Sequence, residues 1–284
     1  MKIVPFKIPR SGNEAIRVQV DAMPHLYNHL HQHPEIQLTL VVESHGTLVA
    51  GDYVGRFREG DVFVIGSNQP HVFRNDAVYF KKKLKAKAIT LFFDESTLGS
   101  LFWQQEEVKS FLPFFRNSLG GYRFKGKKQE QLRNLLLQIA GAEKMDKVIL
   151  FMEMIKLLSS KKETTALSHA VVQRPIRDFD GSRLNAVLEY TFRESHRTIR
   201  LEEIAAVANM TEVAFCKYFK TRTRKTYTHF LNEIRINNAC KLLLAGDQPI
   251  STVCYETGFS NLSHFNRIFK KITGKTPGHY RASV

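Results

Sequence analysis

Apolar and polar positions alternate early in the chain. Ile36, Leu38, Leu40 and Val42 recur at every second residue, the period of a strand with one packed face. Between residue 3 and about residue 93, further short strands are predicted at 47–50, 62–65, 78–80 and 89–93. Gly51-Asp52, Glu59-Gly60-Asp61 and Gly66-Ser67-Asn68 punctuate them as turns. Many short strands with frequent turns predict an all-β sandwich or barrel. From Asp94 the spacing lengthens, and Asp94-Glu95-Ser96 can open a helix through Trp103. Phe111, Leu112, Phe114 and Phe115 form an aromatic packing patch. Two helices follow, at 128–141 and 146–159. One carries the stripe Leu132, Leu135, Leu136 and Ile139; the other carries Val148, Phe151, Met152, Ile155 and Leu158. Such stripes usually form internal core, and any part left exposed is a candidate dimer interface.

Residues 161–181 break the pattern. A polar run ends in Thr164-Thr165, and Pro175, Asp178, Asp180 and Gly181 come later, so this stretch reads as a linker in which Val171-Val172 can dock locally. It separates a first domain, 1–160, from a second, 182–284. The second reads as all-helical. Leu184, Val187, Leu188 and Thr191 mark its first helix. Helices at 201–208, 211–220, 226–245, 250–257 and 261–271 follow, and Thr276-Pro277 opens a last short one.

The segment 261–271 has Leu262, Phe265, Ile268 and Phe269 on one face and Ser263, Asn266, Arg267 and Lys270 on the other. Gly258-Phe259-Ser260 before it is a tight-turn signal, with Ser260 as the expected N-cap. A short helix, a sharp turn and a second helix make a helix-turn-helix, whose second helix enters the DNA major groove. The pattern occurs twice. Phe215, Lys217, Phe219 and Lys220 return fifty residues later as Phe265, Arg267, Phe269 and Lys270. Ile204-Ala205 returns after forty-nine as Val253-Cys254, so the second turn holds one more residue. The intervening helix of about twenty residues spans about 30 Å. That is close to the roughly 34 Å turn of DNA. One chain can then present two helices to successive groove segments.

Charge agrees with a polyanionic partner: 42 Lys and Arg against 27 Asp and Glu leave a net +15. Lys81, Lys82, Lys83, Lys85 and Lys87 read instead as a solvated edge that discourages aggregation. Cys216, Cys240 and Cys254 lack metal-type spacing and read as reduced helix residues. No signal core and no run of eighteen apolar residues is present, so a soluble cytoplasmic protein without membrane contact is expected. No phosphate loop or nucleophile triad can be assembled, so no catalytic residue and no cofactor is expected.

These C-terminal residues resemble the AraC/XylS family of bacterial transcription regulators. The resemblance is dense over 182–281. It rests on Leu201 to Ala205, Phe219-Lys220, Arg235 with Ala239, Leu242-Leu243, Gly258-Phe259-Ser260, Phe265-x-Arg267-x-Phe269-Lys270, Gly274 to Pro277 and Tyr280-Arg281. It implies a seven-helix domain with two helix-turn-helix units. It also implies base-facing roles for Val213, Cys216 and Lys217 in the first unit, and for Leu262, Ser263, Asn266 and Arg267 in the second. Thr211, Lys220, Ser260 and Lys270 take backbone-positioning roles by the same resemblance. Arg reads guanine, Asn reads adenine, and the apolar Val213 can meet a thymine methyl. The family further implies an activator that recruits RNA polymerase.

The N-terminal half resembles, more loosely, the cupin-type sensor domain of such regulators. His31-Gln32-His33 with Gln37 falls where cupins carry His-x-His-x-x-x-Glu, and Gly60, His71 and Asn75 match the second cupin motif. Gly66 and Asn68 sit where that motif usually has Pro and Gly. If the strand extends back through them, His31, His33, Glu35, Gln37 and Thr39 share one face. The expectation is a cupin-like barrel whose His31, His33, Gln37 and His71 bind a small organic effector, with no metal, because Gln37 replaces the usual carboxylate. The expected whole is a homodimeric, effector-controlled regulator of double-stranded DNA. The alternative is a metal-dependent cupin enzyme fused to a DNA-binding domain.

Overall fold

The computed structural model describes residues 16–81, 84–160, 162–168 and 178–282, with side chains from 182 onward in the last stretch. The expected strands before residue 16, Lys82, Lys83, Val171, Val172 and Pro175 lie outside the described residues. The chain divides into two compact units between Asp178 and Phe179.

The first unit holds β1 (Arg17–Met23), β2 (Ile36–Glu43), β3 (Gly46–Ala50), β4 (Tyr53–Phe57), β5 (Val62–Ile65) and β6 (His71–Asn75). After them come α1 (Ala77–Lys81), β7 (Ala86–Phe93), α2 (Leu112–Asn117), β8 (Tyr122–Phe124), α3 (Gly126–Ile139), α4 (Lys144–Leu158) and β9 (Thr164–Ala166). The strands form two antiparallel sheets, ordered β1-β7-β2-β5-β8-β9 and β4-β3-β6. Their ladders do not close into the expected barrel.

The period-two pattern of β2 explains the layering. Ile36, Leu38 and Leu40 join Val62, Val64, Ile89, Leu91 and Phe93 on one face, where they pack against Trp103, Phe111, Phe115 and the buried sides of α3 and α4. The opposite parity turns Val41, Phe63, Ile65 and Ala88 into a second core with Leu48, Phe57 and Phe73 of the smaller sheet. Each fully buried Leu or Phe contributes about 1.5–3 kcal/mol by leaving water. Between Val41 and Glu43 the register with β7 shifts.

Several local expectations need correction. Residues 78–80 lie in α1, since a three-residue apolar run carries no period. The helix expected from Asp94 to Trp103 does not form. Asp94 accepts from the Ser96 N–H, and Leu98 and Gly99 take φ of 65° and 87°, so local bonds and left-handed backbone win. Of the stripes on α3 and α4, Leu132, Leu136, Ile139, Phe151, Ile155 and Leu158 are buried core. Inside the stretch read as linker, Thr164–Ala166 pairs with β8, because Thr-Thr-Ala suits an edge strand. Lys87 stands on β7, which lies between β1 and β2, so it is not at a sheet edge.

The second unit holds α5 (Asp178–Glu194), α6 (Leu201–Val207), α7 (Glu212–Thr223), α8 (Tyr227–Ala245), α9 (Ile250–Glu256), α10 (Leu262–Thr273) and α11 (Pro277–Ala282). Most of α8 is buried, including Phe230, Ile234, Ile236, Ala239 and Leu243. Arg235 on α8 donates to the carbonyls of Ser195 (2.9 Å) and Arg197 (2.7 Å) and lies over the Phe259 ring. It fixes the α5–α6 connection beside the α9–α10 turn. Gly258 sits in that turn at φ 90°, and a Cβ there would come within 2.4 Å of the Ser195 carbonyl oxygen.

The repeat extends to the helix ends. Thr223 and Thr273 each donate their hydroxyl to the carbonyl four residues back, and both helices stop in a left-handed residue, Arg224 (φ 58°) or Gly274 (φ 76°). Only glycine adopts that conformation freely. Gly274→Ala should therefore cost about 1 kcal/mol, although nothing crowds the site. Arg224→Gly should gain a similar amount. Urea unfolding of each variant checks the opposite signs.

Candidate functional site

In the first unit, β2, β7 and β1 line a cavity of about 140 Å³. Its polar wall includes Gln19, Asp21, Tyr27, His31, Gln37, Thr39 and Thr90; Leu26, Phe73 and Phe92 supply apolar surface. Burial raises the Asp21 carboxyl, and a hydrogen bond from Gln19 opposes that shift.

Three buried histidines meet at one end. His71 opens β6, whereas His31 and His33 precede β2 and are not on the strand. Pro34 lies between them and Ile36. Hydrogen bonds place them: the His31 N–H donates to His71 O (3.0 Å), and the His71 N–H donates to His31 O (2.8 Å). The Asn68 N–H donates to His33 O (2.8 Å), from a turn in which Asn68 itself takes φ 55°. Each ring donates Nδ1–H to a carbonyl: His31 to His29 (2.9 Å), His33 to Glu35 (3.0 Å), His71 to Gln69 (2.8 Å). The Gln37 side-chain oxygen lies 2.9 Å from His33 Nε2 and 3.0 Å from His71 Nε2. Its amide nitrogen is 2.8 Å from Thr39 Oγ1, which is 3.1 Å from Thr90 Oγ1. The structure thus brings His31, His33, Gln37 and His71 together. Glu35 contributes its carbonyl.

Burial holds these imidazoles neutral. It pushes His31 down to about 4, lowers His33, and sets His71 well below its ordinary value with help from the neighbouring histidines. Unfolded histidines take up protons near about 6.5. Below that pH the unfolded chain binds more protons than the folded one, so this unit's stability should fall as pH drops from about 6.5 toward about 4. A melting temperature flat across that window would contradict the neutral cluster.

In the second unit, two helix pairs repeat: α6 with α7, and α9 with α10. Residues 211–220 and 261–270 have the same sequence of exposed, half-buried and buried positions. Phe215, Phe219, Phe265 and Phe269 are fully buried, and each Phe pair packs ring to ring at 5.6 Å. All eleven residues Thr211, Val213, Cys216, Lys217, Lys220, Ser260, Leu262, Ser263, Asn266, Arg267 and Lys270 are exposed. Val213, an apolar side chain, is 82% exposed.

Residues 204–283 match a family model described as a helix-turn-helix domain. This region is a helix-turn-helix domain. Among curated relatives, the MmsAB operon regulatory protein of Pseudomonas aeruginosa is 32% identical over 130 residues, covering 45% of this chain and 41% of that one. An HTH-type transcriptional regulator of Staphylococcus aureus is 22% identical over 274 residues, covering 94% of this chain and 33% of that one. The chain spans less than half the length of the curated relatives it matches. Among solved structures, ToxT from Vibrio cholerae aligns over 94% of this chain and 97% of its own, at 13% identity and a TM-score of 0.38.

Two features of the second helix pair escaped the sequence reading. The N-cap of α10 is Asn261, not Ser260: its side chain accepts from the His264 N–H (2.8 Å). The fifty-residue offset, which maps Thr211 onto Asn261, was the available signal; Thr211 caps α7 in the same way. His264 is the second. Its Nδ1 lies 3.1 Å from Arg267 Nη2, on the exposed face of α10.

Among the described residues, no helix is long and apolar enough to cross a membrane.

Proposed function

We propose that this chain is an effector-responsive, sequence-specific DNA-binding transcription regulator with two helix-turn-helix units, α6–α7 and α9–α10. The observation that carries this reading is the duplicated pair of helices, each with a buried Phe-x-x-x-Phe seam and an outward row of readers. In the second unit, Asn266 and Arg267 read adenine and guanine edges, Ser263 and Leu262 complete the base-facing row, and Lys270 with Ser260 holds phosphates. In the first, Val213 and Cys216 meet thymine methyls while Lys217 reads and Lys220 and Thr211 position. Spanning α8 is nineteen residues long, roughly 28 Å, which suits adjacent major-groove segments.

In the same reading the two-sheet unit is a cupin-like sensor. A small organic effector occupies the cavity beside His31, His33, Gln37 and His71, and its unequal affinity for two states of the chain alters DNA binding. The regulator acts as an activator that engages RNA polymerase, and it dimerises. With the stripes of α3 and α4 largely consumed by the core, the exposed Leu137, Met145 and Ile149 are the dimer surface.

The experiment is a genome-wide footprint of the full chain with and without candidate effectors, repeated for His33→Ala with His71→Ala. The expected result is normal basal occupancy and no effector response in the double variant. A variant that melts normally and still responds fully would overturn the cavity assignment.

A further inference from the structure

We propose that the effector of this cavity is a small organic amine, bound as its ammonium ion by Asp21 and Gln19, with a ring-sized hydrocarbon body set against Phe73 and Phe92. The inference deepens the sensor reading of the cavity and rests on it.

Strand register builds the site. Across β1, β7 and β2, Gln19, Thr90 and Thr39 stand side by side, and Asp21 stands beside Ala88 in the next row. Residues two apart on a strand share a face, so both rows look to the same side. Asp21 and Gln19 line the cavity together with the two threonines. The Gln19 amide donates to Asp21 Oδ1 (2.8 Å). A carboxylate only accepts, so this bond fixes the amide with its NH2 toward Asp21. Gln19 Oε1 and Asp21 Oδ2 are left as two acceptors without a protein donor among the described residues.

No cation neutralises Asp21. Among the described residues, no Lys or Arg lines the cavity. Arg17, on the same face of β1, stands about 13 Å farther along the strand, with its guanidinium over the Phe92 ring at 5.3 Å. Burial holds the His31 ring neutral, pushing it down to about 4, and keeps the Tyr27 hydroxyl protonated. Burial likewise raises the Asp21 carboxyl, with only the Gln19 bond opposing it. A carboxylate half out of water and without a counter-ion repels a second anion and gains most from a cation. An ammonium supplies donors to Asp21 Oδ2 and Gln19 Oε1 at once. A carboxylate or phosphate would meet no positive group on this wall.

Volume and the apolar wall set the body of the ligand. The cavity holds about 140 Å³. A cavity of about 150 Å³ accommodates benzene. Phe73 and Phe92 add aromatic lining, which suits a ring packed edge-on. An ammonium joined through one carbon to a six-membered ring matches both the size and the polarity.

The test uses full-length protein and three probes of nearly one shape, benzylamine, benzyl alcohol and benzoate, each titrated by calorimetry at neutral pH. Benzylamine should bind once per chain, at least about 10-fold more tightly than benzyl alcohol. Benzoate should not bind. Asp21→Asn keeps the side-chain shape and the acceptor for Gln19. It should weaken benzylamine by about 10–100-fold, the range for a lost charge-assisted hydrogen bond, and leave benzyl alcohol unchanged. Gln19→Met removes the second acceptor and should weaken benzylamine by a smaller factor. Circular dichroism checks that each variant folds. No benzylamine binding, equal binding of benzylamine and benzyl alcohol, or a folded Asp21→Asn chain with undiminished benzylamine affinity overturns the amine site. DNA occupancy that responds to benzyl alcohol or benzoate but not to benzylamine overturns the amine class and leaves the sensor reading standing. Benzylamine bound through Asp21 with no change in DNA occupancy does the reverse.

Discussion

Phe265→Ala should destabilise the second unit by about 3–5 kcal/mol. The ring is fully buried and packs edge-on against Phe259 at 5.3 Å and against Phe269 at 5.6 Å. Alanine removes most of a large apolar side chain and leaves a cavity between α8, α9 and α10, which share one core cluster. Small-to-moderate relaxation cannot refill it, because the surrounding Ile236, Val253 and Cys254 are already buried and close-packed. Denaturant unfolding followed by far-ultraviolet circular dichroism measures the effect. Ile268→Ala on the half-buried flank of the same helix is the comparison and should cost less. A loss below about 1 kcal/mol at Phe265 would mean that the second helix pair does not depend on its aromatic seam.

Arg267→Ala should weaken binding to a selected site by about 1–3 kcal/mol, roughly 5–150-fold, and relax preference at a single base. Its guanidinium is exposed on the outward face of α10, steadied by His264 Nδ1. Lys270→Ala removes a charge one turn later on the same exposed face. It should weaken all sequences alike and reduce the salt slope by about one. Equal losses on specific and random DNA for Arg267→Ala would remove it from the base-reading row.

Much of this architecture was legible because packing periods are written directly into the chain. The alternation at Ile36, Leu38 and Leu40 predicts which face of β2 meets the helices, and the paired phenylalanines predict the buried seams of α7 and α10. The N-cap shift from Ser260 to Asn261 shows what periodicity leaves open. Both residues can cap, and only backbone dihedrals decide between them. The histidine cluster was half legible. Strand parity brings Gln37 and Thr39 into the cavity, but His31 and His33 arrive from a loop fixed by long-range bonds to His71 and Asn68, which no local pattern encodes. A sandwich was one of the two expected arrangements, but which strands fall in which sheet, and in what order, was invisible, since strand order depends on pairing between distant segments.

The central claim is that one chain reads two groove segments. Hydroxyl-radical footprinting and methylation interference of the full-length chain on a site selected from random DNA test it most directly. The account predicts two contacted segments per chain on one face of the duplex, centred about 10 base pairs apart. Arg267→Ala should erase base preference in one segment, and Lys217→Ala should affect the other. A single contacted segment per chain, or two segments that both respond to Arg267→Ala, would contradict it.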